Sequence, residues 1–438
     1  MKINHTVLLI LFAQVSWGQQ VLSLDEAIDS AVSNNPAVQI QKQQTSIATN
    51  NVSKANTGQL PTVDAVGLAS YTNNYTDINI RTFQPPPSPD EVSLSEWGVQ
   101  SLTANVGVEA SYVLWDGGAG SYRYQLLSGL SEIEADKQSL IINNIIKGTV
   151  ELYLELVKIQ NQVEILNENV TVTRERISKL RDKRQFSKVS DLDVLQVETS
   201  LNQDLSTIDQ LNLLKQNLQT DLKTLMNDIT DSEYSYEYPE NTTTVINTSD
   251  LRDQIKANNP ELQLIQRGIY LSATELELEK ASLKPTLVSF GNAGYFGQRN
   301  DVQQLAQLQT VGATVGIKAT YRIFDGGSRK IKVQNAKVSQ AIETNKLEQR
   351  TDELLMEARK QLQNIVYLEI QLQREKLNAE TYQLNYEKTV DRYDLGKLPE
   401  ITLREAELAL INSKVTIANY QVDIEKAKRL VGLITGQP

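Results

Sequence analysis

The sequence predicts a mixed α/β chain built from two internal repeats, each a long β-hairpin followed by two very long antiparallel helices. Three observations predict it. Short motifs return in register along the chain. Apolar and polar residues alternate over stretches of more than ten positions, and two stretches of nearly 70 residues hold no proline.

The repeat is read from its punctuation. Ser33-Asn34-Asn35-Pro36-Ala37 returns as Ala257-Asn258-Asn259-Pro260-Glu261, 224 positions on, and Leu60-Pro61-Thr62 returns as Lys284-Pro285-Thr286 at the same offset. Trp115-Asp116-Gly117-Gly118 returns as Phe324-Asp325-Gly326-Gly327 after 209 positions, and Gln185-Phe186-Ser187-Lys188 aligns with Asp394-Leu395-Gly396-Lys397 at that offset too. The 15 residues of difference fall between the proline and Asp-Gly-Gly, where the first repeat carries Phe83-Gln84-Pro85-Pro86-Pro87-Ser88-Pro89. Such a run cannot sit inside a strand or helix, so the extra length is expected to be loop. The repeats are placed at residues 19–228 and 249–438, with 229–248 as a connector or equatorial segment.

In chain order, Lys2, an apolar core at residues 7–13 and the small-x-small site Ser16-Trp17-Gly18 predict a secretory signal peptide at 1–18. That core is too short to span a bilayer. Removing it removes His5, the single histidine, and the chain has no cysteine. Histidine triads, thiol nucleophiles, disulfides and the usual zinc sites are thereby excluded. Only Met226 and Met356 remain as soft ligands, and no hydrolytic carboxylate motif stands out. Neither an enzyme nor a cofactor is expected. The mean hydropathy of −0.35 marks a polar chain. A net charge of −11 gives no support to nucleic-acid binding, which needs basic patches.

The first helix begins at Leu24. Ser23 and Glu26 have the spacing of a capping box, and Leu24, Ala27, Ile28, Ala31 and Val32 share one face. Asn34-Asn35-Pro36 should kink or break it. Strands come next. Val106, Val108, Ala110, Tyr112 and Leu114 alternate with Asn105, Gly107, Glu109 and Ser111; Val311, Ala313, Val315, Ile317, Ala319, Tyr321 and Ile323 alternate likewise with polar residues and glycines. A soluble sandwich and a transmembrane strand both read this way. The partner strands, near 62–75 and 286–297, alternate less cleanly.

The proline-free stretches, 118–185 and 327–395, read as helices. Each would be about 100 Å long at 1.5 Å per residue. The return helix of the first repeat carries a coiled-coil seam: Leu201, Ile208 and Leu222 share one heptad position, and Leu211, Leu218 and Leu225 another, with Asp204 and Lys215 as interruptions. Helices of this length must bridge something. Four strands cannot close a barrel, and an open sheet in lipid leaves backbone groups unsatisfied, so several copies must join. A barrel continued by a helical tube makes a conduit.

The signal peptide, the Asn-Asn-Pro helix, the strand ending in aromatic-Asp-Gly-Gly and the twofold repeat together resemble the TolC family of outer-membrane efflux proteins, the outer-membrane factors, over about residues 22–436. The resemblance implies a mixed α/β membrane protein. A homotrimer would form a 12-stranded transmembrane β-barrel, four strands per chain, continued by a long antiparallel α-helical coiled-coil barrel. It implies a place in the outer membrane of a Gram-negative bacterium, with the helices in the periplasm. The implied partners are outer-membrane lipid, a periplasmic adaptor and an inner-membrane pump of the RND or ABC type. The implied task is passage of drugs or other small molecules to the outside. An exit duct for type I protein secretion reads the same in sequence, and a soluble periplasmic coiled-coil scaffold is the alternative of a different class.

On this resemblance the far helical turns, Phe186-Ser187-Lys188 and Leu395-Gly396-Lys397, would touch the adaptor, with Ser187 standing where the family has glycine. Asp193 and Glu405 match acidic gate positions. Thr402 replaces a second acidic position, for which Glu400, two residues earlier, would substitute. Acidic residues in a helix's first turn also simply complement its dipole. Trp115-Asp116-Gly117-Gly118 and Phe324-Asp325-Gly326-Gly327 read as joints between membrane strand and tunnel helix. Tyr71, Tyr112, Trp115, Tyr321 and Phe324 are candidates for an interfacial aromatic belt.

Overall fold

The computed structural model describes residues 20–81, 91–185, 190–239, 250–301 and 306–436. The expected signal peptide, the proline run and the first tip, Phe186-Ser187-Lys188, lie outside them. The first repeat runs β1 (Gln20–Leu22), α1 (Leu24–Asn34), α2 (Pro36–Asn51), β2 (Thr62–Arg81), β3 (Glu91–Trp115), α3 (Ala119–Gln185) and α4 (Asp191–Met226). Then come β4 (Tyr234–Tyr236), α5 (Leu251–Asn258), α6 (Pro260–Ala281), β5 (Thr286–Asn300), β6 (Gln307–Thr320), α7 (Ser328–Asp394) and α8 (Glu400–Thr435).

The repeat is visible in lengths and in caps. Helices α3 and α7 have 67 residues each, and α4 and α8 have 36 each. Asn-Asn-Pro breaks the helix in both repeats. Asn35 and Asn259 take extended backbone, and Pro36 and Pro260 open the next helix. The residue before proline is driven out of the helical region, while proline itself suits a first helical position. Each return helix ends on a left-handed residue, Asn227 (φ 52°) and Gly436 (φ 75°), in the same repeat position. The Ser23–Glu26 capping box forms as expected.

Two compact units cut across the repeats. One holds residues 20–43, 135–264 and 347–436 and is almost wholly helical. Tyr153 of α3 is fully buried at its centre with Leu22, Leu154, Leu222 and Tyr236. Its hydroxyl lies 2.7 Å from the Leu22 carbonyl and accepts from the Glu237 amide at 3.1 Å. Within the segment expected to be a connector or equatorial segment, β4 pairs in parallel with β1, and its Tyr236 packs edge-on against Tyr153. The α4 seam is covered as predicted at Ile208 and Leu222, and Asp204, expected as an interruption, is itself buried.

The other unit holds residues 44–134 and 265–346, including a four-stranded antiparallel sheet of order β2-β3-β5-β6. Adjacent strands pair in sequence order except that β3 meets β5, which joins the two hairpins. The 15 extra residues of the first repeat are not mainly loop, as the proline run suggested. Strand β2 has 20 residues against 15 in β5, and β3 has 25 against 14 in β6; residues 112–115 of β3 match 321–324 beyond β6, and the other added strand residues take up most of the insertion. Strand β6 stops at Thr320, short of the Ile323 that alternation predicts, because β5 starts at Thr286 and offers no pairing partner beyond it.

Candidate functional site

The pairing registers sort the sheet into two faces, because residues directly opposite share a face. Val63, Ala65, Gly67, Ala69 and Tyr71 of β2 stand opposite Ala110, Val108, Val106, Ala104 and Leu102 of β3. Val106, Val108 and Ala110 in turn face Tyr295, Ala293 and Gly291 of β5, which face Val311, Ala313 and Val315 of β6. One face is thus apolar across all four strands. Its residues lie open: Val106 is 62% exposed, Val311 81% and Val315 86%. The opposite face carries Asp64, Asn105, Glu109, Asn292, Thr310, Thr314 and Lys318. Strands β2 and β6 each leave one edge without a strand partner among the described residues. No helix among those residues is long and apolar enough to cross a membrane.

At both Asp-Gly-Gly segments read as joints, the glycines take left-handed backbone. Gly117 and Gly118 have φ of 74° and 94°, and Gly326 and Gly327 of 69° and 87°, values that favour glycine. The aspartate of each joint caps the long helix behind it. Asp116 Oδ2 accepts from the Gly120 amide and from Arg123 Nη2, both at 2.7 Å. Asp325 accepts from the Gly327 amide at 3.1 Å and from Arg329 Nε at 2.6 Å. The Arg329 hydrogen bond, with the backbone bonds beside it, holds the Asp325 carboxyl below its usual range. Gly117 is also confined: a Cβ there would lie 2.8 Å from Lys284 Cβ and 2.9 Å from the Ala281 carbonyl oxygen. Of the aromatic candidates, Tyr71 and Tyr112 lie on the apolar face, Trp115 pairs with Leu287 beyond a bulge, and Tyr321 and Phe324 follow the end of β6, exposed.

At the second tip Gly396 (φ 70°) ends α7 in a Schellman turn. Its amide donates to the Tyr393 carbonyl at 2.8 Å, and the Lys397 amide to Arg392 at 2.9 Å. Leu395 and Lys397 are exposed. The gate candidates do not share one environment. Asp193 closes a capping box with Ser190, whose amide donates to Asp193 Oδ2 at 3.2 Å. Glu405 is exposed, and Thr402 is half-buried. Glu400 is buried, with Oε1 accepting from Arg176 Nη1 at 3.1 Å, and Tyr393 interacts with both Glu400 and Asp193.

Sequence reasoning missed the network to which Glu400 belongs. Arg176 of α3 also binds Glu407 of α8, and Glu407 accepts from Arg404 at 3.0 Å. Arg404 reaches Asp204 of α4 at 2.5 Å, and Asp204 accepts from Asn169 of α3 at 3.0 Å. All five charged side chains are at most 10% exposed. Three carboxylates here share two guanidinium groups. Burial pushes the Glu400 carboxyl up, against the opposing pulls of Tyr393 and Arg176, and the neighbouring Glu407 carboxylate adds to the rise. The available signal was Asp204, an acidic residue at a seam position, which needs a buried partner.

No family model matches the chain, and no curated protein matches it in sequence. Solved structures do. The chain is similar to the outer-membrane channel OprN, with a TM-score of 0.75 at 17% identity over 95% of this chain and 90% of that one. It is similar to the CmeC outer-membrane channel of Campylobacter jejuni, with a TM-score of 0.74 at 18% identity over 99% and 94%. It is also similar to the outer-membrane protein VceC of Vibrio cholerae, with a TM-score of 0.72 at 13% identity over 94% and 96%. Near-complete coverage in both directions makes this a likeness of the whole architecture. The chain has the fold of the outer-membrane channels, the fold that its sequence resemblance to the TolC family implies.

Proposed function

We propose that this protein is an outer-membrane exit duct. Three copies close their sheets into one 12-stranded barrel, the unpaired edge of β6 meeting that of β2 in the next copy. The observation that carries the reading is the apolar face, continuous over four strands and lying open. Burial of that face in lipid removes it from water, and closure satisfies both edges. The polar face then lines the lumen. The helices run on into the periplasm, where an adaptor and an inner-membrane pump of the RND or ABC type would dock at the tips, Leu395-Gly396-Lys397 among them. Drugs or other small molecules pass through without being chemically changed. Asp193 and Glu405 supply carboxylates to a constriction at the periplasmic end, with Thr402 where a further carboxylate would stand.

Fractionation tests the reading. The duct is expected in the outer-membrane fraction, as a trimer on mild electrophoresis that dissociates on heating. Recovery as a soluble periplasmic monomer or dimer would favour the scaffold and overturn the duct. A deletion strain screened against a panel of drugs is expected to gain sensitivity. Loss of a secreted protein instead would move the assignment to protein secretion.

A further inference from the structure

The two joints share a backbone but not a surface. Past the end of β6, Ile323 is 89% exposed and Phe324 83%, with Tyr321 exposed beside them. Helix α7 then opens Ser328-Arg329-Lys330-Ile331-Lys332, with no acidic residue in its first turn. Cations at that end meet the positive pole of the helix dipole and are unfavourable there. Arg329 is neutralised by Asp325 at 2.6 Å. Lys330 and Lys332 are exposed on either side of the exposed Ile331, and neither has an ion-pair or hydrogen-bond partner among the described residues. The first joint differs. Helix α3 opens Ala119-Gly120-Ser121-Tyr122, and its first cation, Arg123, is held by Asp116 at 2.7 Å.

An exposed apolar wedge rimmed by unpaired lysines, adjoining the apolar face of the sheet, complements a surface that is apolar inside and anionic at its rim. We propose that the second joint is a binding site for anionic phospholipid headgroups of the leaflet on the helix side of the membrane. Ile323, Phe324 and Tyr321 enter the acyl boundary. Lys330 and Lys332, two positions apart and so on different sides of the helix about Ile331, pair with separate headgroup phosphates, which supply the negative charge that the first turn of α7 lacks. This rests on the membrane reading of the sheet.

The test is native mass spectrometry of the full-length trimer in detergent, titrated with phosphatidylglycerol or with phosphatidylcholine of the same acyl chains. The wild type is expected to hold phosphatidylglycerol in preference. Lys330→Gln with Lys332→Gln should weaken phosphatidylglycerol by about fivefold per lysine and leave phosphatidylcholine unchanged. Lys330→Arg with Lys332→Arg should keep the preference, and added salt should shrink it. Phe324→Ser should weaken both lipids. An equal preference in wild type and glutamine variant overturns the proposal. So does loss of trimer with lipid preference intact, which would assign the patch to a second copy of the chain. A trimer found in the outer membrane but indifferent to headgroup charge sinks this inference alone, whereas a soluble protein sinks the membrane reading beneath it.

Discussion

Single residues do paired work in this chain, and the pairs show what each repeat requires. Asn35 donates to the Leu225 carbonyl at 2.9 Å while its own oxygen accepts from the Ala37 amide; Asn259 donates to Ile434 at 3.0 Å and accepts from Glu261. One side chain thus starts a helix and anchors the last turn of the return helix, twice. The joint glycines are paired less evenly. Gly117 has both a left-handed backbone and crowded surroundings, whereas around Gly326 nothing lies within 4 Å of an added Cβ. Valine at either site faces backbone strain of about 1–3 kcal/mol, and at Gly117 it also overlaps Lys284 and Ala281. Gly117→Val is therefore expected to lower trimer yield on mild electrophoresis more than Gly326→Val, and Gly326→Asn to be tolerated. Equal yields for all three variants would remove the joint's special requirement. Glu400 gives a pH prediction. Its carboxyl titrates above its ordinary 4.5 in the folded chain. Between those values the folded state holds the proton more tightly, so this group's contribution to stability falls as pH rises through the window. Glu400→Gln mimics the protonated form. It should be more stable than wild type near neutral pH in denaturant titrations, with the difference narrowing as pH is lowered. A difference that widens on acidification would mean that Arg176 dominates and the carboxyl's pKa is depressed.

At the level of elements the sheet makes the sharpest statement, since neighbouring residues on one strand face opposite surroundings. Val315 lies midway along the apolar side of β6, and Thr314 on the polar side. A lysine at Val315 would lie in hydrocarbon and cost about 2–4 kcal/mol, while lysine at Thr314 would face water. Val315→Lys should reduce folding into lipid vesicles and Thr314→Lys should leave it nearly intact; equal behaviour would mean that the two faces do not differ in solvent. Strands β3 and β6 were legible in sequence because Val, Ala and Ile alternate with polar residues. Strands β2 and β5 were expected near 62–75 and 286–297 and lie there, but their faces were not legible, because their apolar side is thinned to Gly67, Gly291 and Gly297 and their polar side holds Leu68, Phe290 and Phe296. Their faces follow only from register, which pairs each glycine with a partner of known side. Helix lengths and both Asn-Asn-Pro breaks were legible because they depend on local sequence alone. The buried network was not: Arg176 meets Glu400 across 224 residues of chain and Arg404 meets Asp204 across 200. The proline run misled about the insertion because most of the added residues lengthen β2 and β3 on either side of it.

For the whole molecule, the proposed trimer would turn a few carboxylates into a ring, and such a ring would give the proposed duct a barrier. Asp193 and Glu405 occur once per chain, so a closed trimer presents three of each. Like charges held close repel, raise one another's pKa and attract cations. Glu400 is a poor member of such a ring, since its carboxylate is buried against Arg176 inside the protomer. Glu405 is exposed and makes no comparable pair among the described residues. Asp193 has a second role, because its side chain caps α4. Loss of that contact leaves the Ser190 amide without its capping-box partner and would loosen the start of α4 independently of lumen charge. The two roles separate by design of the variants. Glu405→Gln removes charge and leaves the α4 cap untouched. Asp193→Ser keeps a short polar side chain near the cap and removes charge. Asp193→Ala with Glu405→Ala removes both carboxylates. In planar bilayers the double alanine variant should show higher single-channel conductance than wild type, and each single neutral variant should show part of the gain with reduced cation selectivity. If Asp193→Ala raises conductance but Asp193→Ser does not, the cap rather than the charge sets the constriction. If none of the variants changes conductance or selectivity, the barrier lies elsewhere, and these two residues are only favourable charges at the start of a helix.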